Sequence, residues 1–376
     1  MIKILFFSQG LSAGGAEKVL CNLVNNMDQK KFDITVQTID KYDPRQYLDE
    51  GIHYKVVNHC KTALGKRLFS YWFRLCAELK LAYRFFVKDN YDIEVAYLET
   101  GSTKIIAQST NKKAAKIAWV HCDLSQKEGV DTAVDKIKKQ YRQYDKIVCV
   151  SEDVKRGFYK LFGTDFDIEV LYNVIDEEEI FVKAEQSIEW HRDPDEMQLL
   201  AVGRLAPQKN FSYLIDTCKR LRLDGYQFHL NILGEGPERE NLEKQIQTLG
   251  LEDTVTLRGF TNNPYPWMKQ SDIIVCSSKY EGISTVVQEA LILGKTVITT
   301  PCAGMAELLG ASEFGVIAED SDVGLYNCLK SMIESSDLVL KYQKLSAKRG
   351  TQLKKTQVLN NTQRMFLECV EGLRKS

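Results

Sequence analysis

The sequence lacks any uncharged apolar stretch of the ~18 residues needed to cross a bilayer as a helix. It also lacks an excess of either charge: Lys+Arg number 50 and Asp+Glu 51, for a net charge of −1, so the global basic footprint of a nucleic-acid binder is absent. No two of the ten cysteines stand at Cys-x-x-Cys spacing, which leaves zinc-ribbon and thioredoxin-like readings without support. Scattered cysteines in a chain of 376 residues read as buried thiols of a reducing compartment. Gly-x-Gly-x-x-Gly, a Walker lysine and His-Glu-x-x-His are all missing. The opening Met1-Ile2-Lys3-Ile4-Leu5-Phe6-Phe7-Ser8 is too short for a signal h-region and reads as a buried strand, so a cytoplasmic protein is expected. What is present is ordinary globular composition, 44% hydrophobic and 27% charged, in a length that suits two to three domains.

Short apolar runs alternate with helical patterns from end to end. Strands are expected at 2–7, 32–38, 93–97, 116–120 and 146–150, with helices at 16–27 and 154–162. Continuous apolar runs separated by helices indicate buried parallel strands with crossovers. The pattern breaks at the polar stretch 183–196, read as a linker, and restarts with strands at 198–202, 227–233, 254–257, 272–276 and 296–299. Helices fall at about 211–222, 237–249 and 284–293, and the tail at about 338–371 is helical. Two successive α/β units, each with a doubly wound sheet, follow.

The halves differ in charge. Residues 1–172 carry 27 Lys/Arg against 22 Asp/Glu, leaving 23 and 29 for the remainder. The basic excess concentrates at 61–88, where Lys61, Lys66, Arg67, Arg74, Lys80, Arg84 and Lys88 face only Glu78 among seven aromatics. A basic, aromatic-rich amphipathic helix fits an anionic membrane interface; a core helix with solvated Lys and Arg is the alternative.

Several stretches could carry chemistry. Gly14-Gly15, in Ser12-Ala13-Gly14-Gly15-Ala16-Glu17, follows the first strand and opens a helix, where an anion or another backbone can approach closely. Arg204 and Lys209 share the loop after the first strand of the second half; a fork donor and a point charge suit a diphosphate. Glu281-Gly282-Ile283-Ser284-Thr285-Val286-Val287-Gln288-Glu289 also runs from a strand into a helix. Ser284 or Thr285 caps it, and its amides and dipole favour phosphate. Glu281 sits before the helix, and Glu289 lies within its apolar body, where a carboxylate needs a partner. Two carboxylates around an anion site can bind hydroxyls, as on a sugar and a ribose. Gly234-Glu235-Gly236-Pro237 and Gly259-Phe260-Thr261 follow further strands and could lie beside a base, with Pro237 opening a helix. His121 ends a first-half strand. The Asp-x-Asp tripeptides at 165–167, 193–195 and 320–322 lie in turns or the linker, so no metal ligands are assigned.

As an ordered set, Gly14-Gly15, His121, Gly203-Arg204…Lys209, Gly234-Glu235-Gly236 and above all Glu281…Glu289 resemble glycosyltransferase family 4 and its Glu-x7-Glu signature. The resemblance implies the GT-B fold: two Rossmann-like doubly wound α/β domains facing across a cleft, at 1–180 (acceptor) and 181–355 (sugar nucleotide). A C-terminal helix at 356–376 would cross back to the first domain. It implies retention of configuration, a UDP-sugar donor and no metal. Arg204 and Lys209 would hold the diphosphate, Glu281 the donor sugar and Glu289 the ribose. The amides of Ile283, Ser284 and Thr285 would cradle phosphate, Gly15 would approach it from the other domain, and His121 would sit near the reacting carbon. Two departures stand out: Ile283 replaces the family's frequent Phe, and Asn173 lies in a Pro-Asn-Gly-like segment lacking both Pro and Gly.

The function expected is transfer of a hexose or N-acetylhexosamine from a UDP-sugar to a lipid-linked saccharide, in surface polysaccharide or glycolipid biosynthesis. The enzyme would be cytoplasmic and peripheral on the inner face of the membrane, without nucleic-acid partners. A soluble acceptor is the alternative within the class. A dinucleotide oxidoreductase, from another class, would need the fingerprint that Gly14-Gly15 does not supply.

Overall fold

The computed structural model describes residues 1–11, 14–41, 43, 47–127, 129–190, 193 and 196–375, without the side chains of 374 and 375. The chain forms two compact units, Met1–Val174 with Thr356–Ser376, and Ile175–Lys355. In the first unit the strands Ile2–Ser8 (β1), Phe32–Thr38 (β2), His53–Val56 (β3), Ile93–Ala96 (β4), Ala115–Val120 (β5), Lys146–Cys149 (β6) and Ile168–Val170 (β7) build one parallel sheet, ordered β3-β2-β1-β4-β5-β6-β7. In the second unit Met197–Val202 (β8), Phe228–Leu233 (β9), Val255–Gly259 (β10), Ile273–Cys276 (β11), Thr296–Thr299 (β12) and Val316–Ile317 (β13) build another, ordered β10-β9-β8-β11-β12-β13.

Both sheets therefore reverse direction once, between β1 and β4 in the first unit and between β8 and β11 in the second. At such a switch point the helices following the two central strands diverge to opposite faces and open a crevice beyond the strands' carboxyl ends. The central strands β1, β4, β8 and β11 are almost wholly apolar and buried, as a sheet covered on both faces requires.

The seam between units lies earlier than the polar stretch suggested. It falls at Val174/Ile175, so 183–196 belongs to the second unit. The reason is the helix Glu177–Ala184, which packs on the helices Tyr265–Gln270 and Thr285–Ile292 of that unit and buries Ile180 and Ala184. Asn173 lies beside the seam, half of the departure noted above. Where the chain leaves the second unit, the Lys355 ammonium binds Asp176 and Glu178, both at 2.9 Å, fastening exit to entry.

The helical tail is two helices, Ser336–Gly350 and Lys355–Lys375, broken between them. The first packs on Thr285–Ile292, where a Cβ on Gly350 would meet the Leu291 carbonyl at 2.3 Å. The second closes the core of the first unit. Phe366 is fully buried and meets Phe6 and Phe32 edge-on, at 6.0 and 6.3 Å between centroids. Phe366→Ala is expected to destabilise the first unit by about 3–5 kcal/mol, whereas half-exposed Leu367→Ala should cost about 1 kcal/mol or less. Urea unfolding of both variants checks this; equal midpoints would mean the helix is a loose appendage.

Candidate active site

The loops after β8 and β11 flank the second unit's switch point, and side chains join them. Lys209 Nζ donates to Glu281 Oε1 at 2.6 Å, and Ser278 Oγ donates to the same oxygen at 2.7 Å. Ser277 Oγ donates to the Lys209 carbonyl at 2.8 Å, and Gln208 Nε2 to the Tyr280 carbonyl at 2.9 Å. The Lys279 amide donates to the Gln208 carbonyl at 2.8 Å. Burial is the largest influence on Lys209 and works against its charge, but the groups around it, the Glu281 carboxylate first, together hold the ammonium above its ordinary pKa. Asn210, directly after Lys209, adopts the left-handed conformation (φ 54°) as the helix Phe211–Leu223 begins. Arg204 is exposed, and its guanidinium has no hydrogen-bond or ion-pair partner among the described residues.

The loop after β11 ends in a capped helix. Ser284 is the N-cap of Thr285–Ile292, its Oγ accepting from the Val287 amide at 3.4 Å. That serves one of the amides a helix start leaves unpaired, and the others are donors for an anion. Ile283 is buried under the loop at Gly304, where a Cβ would meet the Gly282 carbonyl at 2.6 Å. Glu289 is buried one turn on, and its Oε1 accepts from the Tyr265 hydroxyl at 3.2 Å. Burial, then the Glu289 charge, pushes the Tyr265 phenol well up, so it stays a donor.

Gly234 and Gly236 owe their identity to backbone packing. A Cβ on Gly234 would sit 1.8 Å from the Gly203 carbonyl oxygen, and one on Gly236 would sit 2.3 Å from that of Leu205. Through them the loops after β8 and β9 lie directly on each other, with Leu205 donating to the Glu235 carbonyl at 2.9 Å. The helix beyond begins at Arg239, two residues later than expected, since Pro237 sits in the preceding turn. Phe260 follows β10 with its ring half exposed.

Gly14, Gly15 and His121 lie in the first unit. Ser12 and Ala13 are outside the described residues. Gly14 caps the helix Gly15–Asn26, and a Cβ there would meet Glu17 Oε2 at 2.2 Å, so Glu17's carboxylate already lies against this helix start. His121 follows β5. Its amide and that of Cys122 donate to Glu99 Oε1, the latter at 3.1 Å. The imidazole lies against Tyr97, 4.6 Å between centroids, and its Nε2 is buried with no hydrogen-bond partner among the described residues. Burial lowers its pKa to about 4, against the opposing pull of Glu99 and of a hydrogen bond to the Tyr97 main chain. At neutral pH it is an uncharged imidazole.

The profile described as Glycosyltransferase Family 4 matches residues 13–179, and that described as Glycosyl transferases group 1 matches 182–349. The chain belongs to glycosyltransferase family 4. An N-acetylgalactosamine-N,N'-diacetylbacillosaminyl-diphospho-undecaprenol 4-alpha-N-acetylgalactosaminyltransferase of Campylobacter jejuni is 27% identical, over 98% of this chain and 100% of its own. An amylovoran biosynthesis glycosyltransferase of Erwinia amylovora is 25% identical, over 82% of this chain and 84% of its own. An Anabaena protein crystallised with UDP-glucose aligns with a TM-score of 0.75 at 19% identity, covering 98% of this chain and 100% of that one. The fold of this transferase is thus GT-B, with seven- and six-stranded parallel sheets.

Sequence reasoning missed five contributors to these sites: Ser277, Ser278, Gln208, Tyr265 and Glu99. Glu99 had a visible signal, an acidic residue in the loop after a central strand. Ser278 and Tyr265 had none, because their roles are contacts with Glu281 and Glu289 across the fold. The Asp-x-Asp tripeptide at 165–167 is spent on ion pairs, Asp165 with Arg142 and Asp167 with Lys146, each at 2.9 Å. Of that at 193–195, Pro194 and Asp195 lie outside the described residues.

The neutral His121 of this glycosyltransferase has a consequence for stability. Its pKa falls from 6.5 to about 4 on folding, so between those values the unfolded chain binds the extra proton and stability rises with pH. The contribution is complete above pH ~6.5, and about 3 kcal/mol should be lost by pH ~4. Denaturant titrations from pH 7 to 4 should show a flatter profile for His121→Gln than for the unsubstituted chain; parallel profiles would show that His121 is not held neutral.

Proposed function

We propose that this glycosyltransferase moves a hexose or N-acetylhexosamine from a UDP-sugar to a lipid-linked saccharide, with retention and without a metal, in assembly of a surface polysaccharide or glycolipid. The observation that carries the reading is the Lys209–Glu281–Ser278 cluster at the switch point, with the exposed Arg204 in the same loop as Lys209. The names of the Campylobacter and Erwinia relatives support the acceptor class and the pathway, and the UDP-glucose complex of the Anabaena protein supports the donor. A lipid-linked acceptor is met at a membrane surface, and the basic stretch 61–88 suits an anionic one.

On this reading the donor's diphosphate lies between Arg204, Lys209 and the amides of 283–285. Lys209 gives one N–H to Glu281 and keeps two for phosphate oxygens. As the glycosidic bond breaks, charge grows on the leaving diphosphate, and these fixed cations and dipoles stabilise it. The acceptor hydroxyl attacks from the face the leaving group departs, and a phosphate oxygen takes its proton. Glu281 binds a hydroxyl of the donor sugar, Glu289 a ribose hydroxyl and Phe260 flanks the base. Gly15 and the neutral His121 are the first unit's candidates for donor binding. His121 Nε2, an acceptor or donor according to tautomer, is available to a sugar hydroxyl. Glu17 would have to swing off the helix start for phosphate to approach Gly14 and Gly15.

The two glutamates test the assignment. Glu281→Gln should lower kcat more than it weakens UDP binding, since UDP has no sugar to meet it. Glu289→Ala should weaken UDP binding itself by about 1–3 kcal/mol, because a buried hydroxyl loses its partner. Arg204→Ala should harm both, the diphosphate being present in ground and transition states. Calorimetry with UDP on the folded variants decides; loss of UDP affinity in Glu281→Gln with none in Glu289→Ala would refute the roles.

Among the described residues no group of three or more His, Cys, Asp or Glu side chains is placed to hold a metal ion. Turnover should persist in EDTA and give product with the donor's own anomeric configuration by NMR. Activity abolished by EDTA and restored by manganese, or an inverted product, would overturn the mechanism.

A further inference from the structure

The helix Ala63–Glu78 has two apolar faces where a surface helix has one. Phe69, Phe73, Cys76 and Ala77 turn inward onto Tyr83 and Phe86, with Phe73 and Phe86 stacked at 5.0 Å. Leu64, Leu68, Tyr71, Trp72, Leu75 and Leu79 recur at i, i+4, i+7, i+8, i+11 and i+15, one stripe of the helix and its C-cap, and each is between 44% and 68% exposed. Leu81 and Phe85 of the next turn are exposed too, and Phe85 touches Trp72 at 5.9 Å between centroids. The stripe is mainly leucine, and of the seven aromatics only Tyr71, Trp72 and Phe85 are exposed. Scattered exposed apolar residues are ordinary, but a contiguous run of eight marks a surface that something covers.

The charges around it identify the cover. Lys61, Lys66, Arg67, Arg74, Lys80, Arg84 and Lys88 are all exposed, and none has a carboxylate partner among the described residues. Arg67 and Arg74 border the stripe one heptad apart. The single acidic residue of the stretch, Glu78, is neutralised by Lys104 and by Lys136. A second copy of this chain would set cations against cations. An anionic phospholipid bilayer meets both demands: acyl chains for the leucines, headgroups for the Lys and Arg.

We propose that this stripe inserts into an anionic bilayer, with Leu64, Leu68, Leu75 and Leu79 in the acyl region, Tyr71, Trp72 and Phe85 at the interface, and the seven cations at headgroup level. The inference rests on the reading of 61–88 as membrane-facing and adds to it: attachment is by apolar insertion, not by charge alone. In vesicles of neutral and anionic phospholipid, each basic residue is worth roughly fivefold in partitioning, so Arg67→Gln with Arg74→Gln should lower binding about thirtyfold. Leu68→Ser with Leu75→Ser should lower it about tenfold or more while leaving UDP binding, none of whose proposed contacts lies on this helix, unchanged. Brominated acyl chains should quench tryptophan fluorescence, and Trp72→Phe should remove that quenching.

Binding that salt releases, unchanged by the leucine substitutions and unquenched by bromine, would refute insertion and leave the electrostatic reading standing. No binding to anionic vesicles would refute both. A concentration-dependent dimer abolished by the leucine substitutions would assign the stripe to a second copy instead. None of these outcomes touches the transferase chemistry, which a water-soluble acceptor reports separately.

Discussion

The bond from the Lys209 ammonium to the Glu281 carboxylate is the charged link among those that tie together the two loops on which the second unit's chemistry depends. Burying such a pair is not an economical route to stability, since the desolvation of both ions offsets much of their attraction. What the pair supplies is position. With Ser277, Ser278 and Gln208 it fixes the loop after β8 against the loop after β11 where the sheet's crossovers diverge. The glycines at 234 and 236 extend the constraint by letting a third loop lie on the first without a side chain between them. Arg204 then projects from a frame that does not need it for its own cohesion.

The first unit repeats the logic with different partners. β4 holds the place in its sheet that β11 holds in the other, and each is followed by a loop glutamate, Glu99 and Glu281. Glu281 takes a cation; Glu99 takes the amides of His121 and Cys122, orienting the end of β5. Beside each site lies a non-glycine residue at positive φ, Thr100 at 76° in the loop after β4 and Asn210 at 54° in the loop after β8. Asn tolerates that region and a β-branched Thr does not, so the bend at Thr100 is the more strained, as sites held for function often are. The outcome is a cation-bearing site in one unit and a neutral imidazole in the other.

Much of this was legible from the sequence because parallel sheets are written as continuous apolar runs. β1, β2, β8 and β12 begin and end within a residue or two of where the runs do. The strands that were not legible, β3, β7 and β13, are all edge strands of two to four residues without a fully buried position, too short for an apolar run to stand out. The break at 351–354 was hidden for a related reason: both flanking helices are amphipathic, and no proline separates them. At the site, residue type announced Arg204, Lys209, Glu281 and Glu289, since charges in strand-to-helix loops stand out against apolar runs. Their hydroxyl and amide partners did not, because a serine or tyrosine is common everywhere and only the fold brings it to a carboxylate. In 61–88 the sequence showed the charge excess and overstated the aromatics; burial of Phe69, Phe73, Tyr83 and Phe86 was a matter of packing.

The different partners of the two glutamates bear on what each can do. An unpaired carboxylate beside a diphosphate would repel it, and burial would enlarge the repulsion. Paired with Lys209, Glu281 adds no net charge, so the pair can face an anion while an oxygen is left to accept from a hydroxyl. Glu289 accepts from the Tyr265 hydroxyl, a neutral donor. Tyr265 remains protonated because burial and the glutamate itself push its pKa up, so it does not compete for a donor brought by a ligand. A buried carboxylate that already accepts one O–H is suited to accepting another, and a ribose offers that group. The Lys209 ammonium at Glu281 and the Tyr265 hydroxyl at Glu289 are contacts that suit the division of labour proposed between donor sugar and nucleoside.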